Sequence, residues 1–167
     1  EGMAIHASHP LFPADVAAAL ADAPSPRVLV STPVHLRALL ESGIALPAVA
    51  AVVSATAPLG AALAAQVESR FATRVLEFFG STETCVIASR RTAREEAWRA
   101  YPGIRFEPVA DGTAVSAPWL DAPVPMQDVF EVAADGGFRV VGRSADMIDV
   151  AGKRTSLADL TRRLLAV

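Results

Sequence analysis

Two hydrophobic periods alternate between residues 27 and 80, and this alternation constrains the fold more than any other feature of the chain. Short apolar runs at 27–31, 48–55 and 74–79 are typical of strands, and the unbroken middle run is typical of a strand covered on both faces. The segments between them repeat their apolar residues every three to four positions, as amphipathic helices do. This order predicts an α/β fold: a three-layer, mostly parallel sheet with flanking helices.

The two intervening helices carry local signals of their own. In the first, Thr32 stands at the N-cap position, Pro33 occupies the first helical position, and Gly43 follows the end. The second is predicted over residues 58–71, where leucine, valine and phenylalanine recur at every fourth position. Each helix therefore presents one apolar face to the sheet.

After Trp98 the pattern changes to short alternating runs around Asp-Gly turns. The stretches 104–117 and 129–142 each contain such a turn between two apolar runs, which predicts two hairpins. We therefore expect an α/β part over residues 1–101 and a small antiparallel β subdomain over 102–141.

The last 21 residues, 147–167, have a third character. A short strand, MIDVA, is followed by a turn at Gly-Lys-Arg and a helix that Ser156 and Asp159 begin as a capping pair, with Leu157, Leu160 and Leu164 as its apolar stripe. One strand and one helix are too little for a domain. This segment is expected to be the start of a C-terminal α+β domain.

Charge and cysteine content exclude several classes of function. The net charge is −3 and the cationic residues are scattered, so neither a nucleic-acid interface nor an anionic membrane surface is expected. No apolar run approaches the roughly 18 residues that a membrane span needs. Cys85 is the only cysteine, which excludes an internal disulfide and predicts a reducing cytoplasmic location.

The turn after the third predicted strand, FFGSTET, concentrates polar chemistry. Gly80 permits a close backbone approach, the Ser81 and Thr82 hydroxyls suit phosphate oxygens, and Glu83 offers the hard oxygen that Mg²⁺ prefers. Phe79 can pack on an aromatic base. An alternative stays open, in which Gly-Ser-Thr is ordinary turn chemistry and Glu83 begins a helix.

The loop after the second predicted strand is the second distinctive segment. Small residues and a proline, Ala55, Thr56, Ala57 and Pro58, give a flat backbone surface against which a planar ring can lie. In parallel sheets, ligands bind where the loops at the carboxyl ends of neighbouring strands converge. The two loops together are suited to a nucleotide with its metal ion, and the alternative of ordinary turn chemistry stays open.

The order of these features resembles the adenylate-forming (AMP-binding) superfamily, which includes acyl- and aryl-CoA synthetases. The resemblance covers nearly the whole chain. Its motifs are STPVHLRALL, VVSATAPLGAALAAQVESRF, VLEFFGSTET, the aspartate of MQDVF, and VGRSADMIDVAGKRTSLADL. They correspond to the second half of the family's large domain, a hinge at residues 142–146 and the start of its C-terminal domain.

The resemblance implies an ATP-dependent acid–thiol ligase. A carboxylic acid, possibly an aryl acid, attacks the α-phosphate to give an acyl-adenylate and pyrophosphate, and the thiol of CoA or of phosphopantetheine on an acyl carrier protein then takes the acyl group. The family's phosphate loop and catalytic lysine are absent from these residues, so the isolated chain is expected to be inactive. The alternative within this family is a non-catalytic module that binds nucleotide or docks a carrier protein.

The resemblance also assigns roles by position. Phe79, where the family has Tyr, stacks on adenine, and the backbone of 55–58 covers the other side of the ring. Thr82 holds a phosphate oxygen, Glu83 holds Mg²⁺, and Gly80 and Ser81 belong to the same cofactor-binding turn. Asp128 binds the ribose hydroxyls, and Arg143 contacts ribose or phosphate. Of the family's Thr-Gly-Asp, this chain keeps only the carboxylate of Asp128. We expect Thr82, Glu83, Asp128 and Arg143 to face one cleft.

Further roles concern the hinge, the acid and the partners. Ala145 and Asp146 stand at the hinge, and residues 151–154 resemble the loop that enters the site for thiol transfer. The acyl pocket is assigned to Val34, His35, Phe78 and Val86. An exposed sheet edge, with self-association through it, is expected if other strands of the sheet lie outside these residues.

Overall fold

A computed structural model describes residues 2–6, 8, 10–150, 153–157, 161 and 164. The chain forms two compact units. The first unit is Glu1–Phe79 with Arg90–Glu95, and the second unit is Gly80–Ser89 with Glu96–Val167. The α/β class is confirmed: strands alternate with helices in the first unit, and antiparallel strands make up most of the second. The finer division at residues 101, 141 and 146 stays a prediction.

The first unit is built on three parallel strands. Its elements are α1 (Pro13–Asp22), β1 (Val28–Ser31), α2 (Pro33–Glu41), β2 (Ala51–Ser54), α3 (Ala61–Phe71) and β3 (Val75–Ser81), the last continuing past Phe79. β2 pairs in parallel with both β1 and β3. The predicted strand–helix–strand units are therefore confirmed, and α1 is a helix that the sequence analysis did not predict.

The capping residues predicted for helix α2 occupy the expected positions. Thr32 is the N-cap of α2, its hydroxyl accepts a hydrogen bond from the His35 N–H at 3.5 Å, and Pro33 is the first helical residue. Ser42 caps the other end, and Gly43 follows with φ of +67°, a conformation that favours glycine.

The core of the first unit lies against the middle strand. All four residues of β2 are buried, which agrees with its unbroken apolar sequence. The buried residues packed with Val52 are Val16, Leu20, Leu36, Leu39, Val49, Leu59, Ala64, Val67 and Val75. β1 is an edge strand of the described sheet, and Val28 and Val30 are exposed on it.

The second unit is antiparallel. Its strands are β4 (Cys85–Arg90, whose last residue belongs to the first unit), β5 (Trp98–Ala100), β6 (Arg105–Val109), β7 (Gly112–Ser116), β8 (Val124–Met126), β9 (Asp128–Val132), β10 (Gly137–Arg143), β11 (Met147–Val150) and β12 (Lys153–Ser156). Both hairpins predicted at the Asp-Gly turns are confirmed, as β6–β7 and β9–β10. Strands β6, β7 and β8 form one sheet, and β4, β5, β10 and β9 are neighbours in another.

Three phenylalanines make the aromatic centre of the second unit. The ring centroids of Phe106, Phe130 and Phe138 lie 4.7–5.0 Å apart in tilted and edge-on arrangements, and Phe138 is fully buried. Such contacts between rings on different hairpins add to simple area burial. They join the β6–β7 hairpin to the β9–β10 hairpin.

The C-terminal segment agrees with its prediction in part. β11 is the predicted strand, but Lys153 and Arg154 lie in β12 and not in a turn, because they pair with Val150 and Asp149. Leu157, Thr161 and Leu164 are helical, and both leucines are exposed. Residues 151 and 152 of the predicted loop, with Asp159 and Leu160, lie outside the described residues.

None of the helices formed by the described residues has the length and apolarity that crossing a bilayer requires.

Candidate functional site

The turn after β3 is held by its own side chains. The Thr84 hydroxyl accepts a hydrogen bond from the Ser81 N–H at 3.0 Å and donates to the Cys85 carbonyl at 3.0 Å, while the Ser81 hydroxyl accepts from the Thr84 N–H at 3.2 Å. Thr84 is fully buried. At Gly80 a Cβ atom would overlap the backbone carbonyl oxygen of Cys85, so only glycine fits there. The turn therefore has one strongly determined shape.

Thr82 and Glu83 form the exposed tip of this turn. A hydrogen bond from the Ser81 hydroxyl, and a second from the backbone N–H of Glu83, lower the pKa of Glu83 below its usual value. The carboxylate is therefore ionised at neutral pH and open to a ligand. The alternative that Glu83 begins a helix is wrong, since strand β4 begins at Cys85.

A tryptophan outside the motif fixes the turn from a distant loop. Trp119 is 48% exposed and its indole N–H donates to the Thr84 carbonyl oxygen at 3.0 Å. The two residues are 35 positions apart, and nothing in the local sequence around Trp119 indicates the contact. Sequence reasoning missed this residue.

Asp128 and Arg143 are brought together by the β9–β10 hairpin. They are partners in its register, and a register shift between Val140 and Gly142 precedes the pair. Arg143 Nε lies 3.6 Å from Asp128 Oδ1, which is close enough for an ion pair but long for a hydrogen bond. The Asp128 side chain is 17% exposed and that of Arg143 is 65% exposed. Oxygens of Asp128 therefore stay available to accept hydrogen bonds from a ligand.

Among the predicted site residues of the second unit, the structure shows two contacting pairs. Glu83 contacts Ser81, and Asp128 contacts Arg143. Among the described residues, no hydrogen bond or ion pair connects Thr82 or Glu83 with Asp128 or Arg143. The common cleft stays a prediction.

In the first unit, the loop after β2 presents its backbone to solvent. Thr56, Ala57 and Pro58 are exposed, Ala55 is half-buried, and Thr56 adopts φ of +75°. Positive φ is unusual for a β-branched residue and needs support from its surroundings. Phe79, the predicted partner of adenine, is half-buried.

Support for that loop comes from Glu77, which sequence reasoning missed. Glu77 interrupts the apolar third strand and is only 3% exposed. Its side chain binds the Leu59 N–H, the Arg90 guanidinium and the Thr92 hydroxyl. A glutamate inside a buried apolar strand was the available signal, because such a group must be paired.

The residues predicted for the acyl pocket have different surroundings. Val34 is 72% exposed on α2, and His35 is exposed with its Nδ1 2.9 Å from the Thr32 hydroxyl. Phe78 is half-buried on β3, and Val86 is 38% exposed on β4. The first three belong to the first unit and Val86 to the second.

The predicted hinge residues lie in a single turn of 3₁₀ helix. Ala145 and Asp146 occupy Ser144–Asp146, between β10 and β11. The Ser144 N–H donates to the Gln127 carbonyl at 2.8 Å, so the turn starts beside Asp128. Hinge motion itself stays a prediction.

The described residues hold no cluster of three or more His, Cys, Asp or Glu side chains suited to a metal ion. Mg²⁺ bound together with a nucleotide is usually held by one or two carboxylates with phosphate oxygens and water. The exposed, ionised Glu83 fits that role, and the hydroxyl of Thr82 beside it fits a phosphate oxygen.

The family model for the AMP-binding enzyme matches residues 1–114. The chain belongs to the AMP-binding enzyme family. In this family member, the matched range includes the loop after β2 and the whole Ser81–Thr84 turn, whereas Asp128 and Arg143 lie beyond it. No curated protein sequence was found to match the chain.

Solved structures of other proteins share the fold of this AMP-binding chain. One is an acyl-CoA synthetase (AMP-forming)/AMP-acid ligase II-like protein from Dyadobacter fermentans, with a TM-score of 0.63 and 22% identity over 89% of this chain and 45% of the other. Another is the R195K variant of E. coli MenE with bound OSB-AMS, with a TM-score of 0.70 and 17% identity over 90% and 37% of the two chains.

A third is the anthranilate CoA ligase AuaEII in complex with anthranoyl-AMP, with a TM-score of 0.69 and 20% identity over 92% of this chain and 36% of the other. The AMP-binding chain thus spans less than half the length of each of these three proteins.

Proposed function

We propose that the intact protein containing this chain is an adenylating acid–thiol ligase. Membership of the AMP-binding enzyme family supports the class, and the observation that carries the proposal is the turn that presents Thr82 and an ionised Glu83 to solvent. The shape determined by Gly80, Ser81 and Thr84 fixes this tip, where the Thr82 hydroxyl suits a phosphate oxygen and the Glu83 carboxylate suits a cation.

The first step forms a bond between a carboxylate oxygen and the α-phosphorus of ATP and breaks the bond to the β-phosphate, so pyrophosphate leaves. In the second step a thiolate sulfur bonds to the acyl carbon and AMP leaves with the electron pair of the broken C–O bond. A bound magnesium ion would supply charge neutralisation for the departing pyrophosphate. Glu83 would hold the metal ion, and the Thr82 hydroxyl would donate to a phosphate oxygen.

The nucleoside is assigned to residues of both loops and of the β9–β10 hairpin. Phe79 and the backbone of 55–58 would take the adenine ring, with Gly80 and Ser81 next to the phosphates. Asp128 would accept hydrogen bonds from the ribose hydroxyls, which its spare lone pairs allow. Arg143 would contact ribose or phosphate while its guanidinium, 3.6 Å from Asp128 Oδ1, helps to orient the Asp128 carboxylate.

Val34, His35, Phe78 and Val86 would line the acyl pocket, and aryl acids are the first class to test. The acceptor would be the thiol of CoA or of a carrier protein. Movement at Ala145 and Asp146 would separate the two steps.

The proposal is tested in the intact protein by acid-dependent pyrophosphate release over a panel of aryl and fatty acids. We expect the Glu83→Gln variant to lose about 100-fold or more in rate with the best acid, the size expected when one preorganised electrostatic contact is lost. Glu107→Gln, which changes an exposed carboxylate on β6, is the matched control and should keep the wild-type rate.

A wild-type rate for Glu83→Gln would remove the assigned role of Glu83. Binding of ATP without pyrophosphate release for any acid would favour a non-catalytic nucleotide-binding module.

A further inference from the structure

One buried carboxylate of the first unit, that of Glu77, has no part in the proposed chemistry, although both of its oxygens accept hydrogen bonds from specific partners. Glu77 Oε2 accepts hydrogen bonds from Arg90 Nε at 2.8 Å and from the Thr92 hydroxyl at 2.6 Å, and Arg90 Nη2 lies 2.7 Å from the same oxygen. The other oxygen, Oε1, accepts from the Leu59 N–H at 2.8 Å. A carboxylate held in this way has little freedom to rotate, because each lost partner would leave a desolvated charge.

Leu59 directly follows the segment 55–58 in the chain. At the other end of the segment, the Ala55 N–H donates to the Ser31 carbonyl at 3.3 Å. Ser54 and Glu77 are partners in the β2–β3 register, so both attachments lie at the carboxyl end of the parallel sheet. The segment is therefore tied at its two ends, with the positive φ of Thr56 between them.

We propose that Glu77 is a positioning residue for the nucleoside part of ATP, and that Arg90 and Thr92 hold it in place. Through the Leu59 N–H, this cluster keeps segment 55–58 in the one conformation that receives the purine ring. The inference rests on the proposed function for the identity of the ring, and on the hydrogen bonds above for the held segment. Because the segment is already ordered before ATP binds, binding does not have to include the entropy loss of ordering it.

The first test is amide hydrogen exchange of the intact protein without nucleotide. Thr92→Val removes the hydroxyl that donates to Glu77 while keeping the side-chain shape, and Thr92→Ser keeps the hydroxyl as the matched control. We expect exchange across residues 55–59 to become about tenfold faster in Thr92→Val and to stay at the wild-type rate in Thr92→Ser, with exchange in α3 unchanged.

The second test separates binding from chemistry. In Thr92→Val the Kd of ATP by calorimetry, and the KM of ATP, should rise about five- to tenfold, while kcat and the KM of the acid stay constant. The preference for ATP over GTP should fall in the same variant, since the segment faces the ring. Thr92→Ser should restore each value.

Unchanged exchange at 55–59 in both Thr92→Val and Glu77→Gln would overturn the inference. So would a uniform rise over the whole first unit, which is the result expected of a cluster that only supports the fold. If the wild type binds ATP but releases no pyrophosphate with any acid, the proposed function fails, while a weaker Kd in Thr92→Val still supports the positioning role.

Discussion

Glu77 and Glu83 stand on either side of the same glycine, yet their surroundings are opposite. Glu77 is buried and bound by a backbone N–H, a guanidinium and a hydroxyl, whereas Glu83 is exposed and its pKa is lowered by its own turn. The first carboxylate binds groups of the protein itself, and the second is the one for which we propose a ligand. The comparison teaches that the charge of a residue in a motif does not reveal its role, because the role depends on which partners the fold supplies.

The largest expected effect is the difference between Glu77 and Glu83 in their contribution to the free energy of unfolding. Glu77→Ala should lower the free energy of unfolding by about 3–5 kcal/mol, because the Arg90 guanidinium and the Thr92 hydroxyl would lose the buried carboxylate that accepts their hydrogen bonds. Glu83→Ala should leave the unfolding free energy unchanged within error, since it removes an exposed side chain. Urea denaturation of the intact protein, followed by circular dichroism, measures both. Equal losses in the two variants would break the comparison.

A smaller effect tests whether the turn that carries Glu83 has one allowed shape. Gly80→Ala forces a Cβ into the Cys85 carbonyl, and we expect about 1–3 kcal/mol of destabilisation together with a large fall in acid-dependent pyrophosphate release. The control is Gly60→Ala, because a Cβ at Gly60 meets no atom within 4 Å. Wild-type activity in Gly80→Ala would show that the turn tolerates another shape.

The smallest expected effect is on the pH dependence of stability. A hydrogen bond from Arg91, at 2.8 Å, and a second from the Val75 N–H lower the pKa of Glu68 below its usual value of 4.5. The unfolded state therefore binds more protons than the folded state just below pH 4.5, so stability rises with pH there. The contribution of Glu68 is complete above that pH and is lost as the pH falls through the lower folded pKa.

Thermal midpoints between pH 7 and pH 3 provide the measurement. Glu68→Gln should be less stable than the wild type near neutral pH and should lose less stability on acidification. Glu41→Gln, an exposed change on α2, should follow the wild-type curve. A wild-type pH profile for Glu68→Gln would show that this ion pair, unlike the one at Glu77, contributes nothing measurable.

The three parallel strands of the first unit and its helices α2 and α3 were predictable because their signals are local. Thr32, Pro33 and Gly43 mark the bounds of α2 within the segment that forms it. Asp-Gly turns similarly indicated both hairpins of the second unit. Local signals misled at Lys153 and Arg154, where pairing across strands decides the structure.

The residues that support the candidate site were not predictable in the same way. Glu77 binds partners 13, 15 and 18 positions away, and Trp119 reaches Thr84 across 35 positions. No spacing rule connects such residues, since their distance depends on how strands and loops pack. The pairing of Asp128 with Arg143 is intermediate, because the hairpin was predicted but its register shift was not.

By itself, the amino-acid sequence determined the order of strands and helices and the glycine, hydroxyl and carboxylate chemistry of the turn at residues 80–84, since hydrophobic period and turn preference act over a few neighbouring residues. Only the tertiary structure decided that the Glu77 side chain would be buried and hydrogen-bonded within the protein, whereas the Glu83 side chain would be exposed to solvent. The physical reason is that the protonation, freedom and availability of a carboxylate depend on the groups within hydrogen-bonding distance, and most of those come from distant parts of the chain.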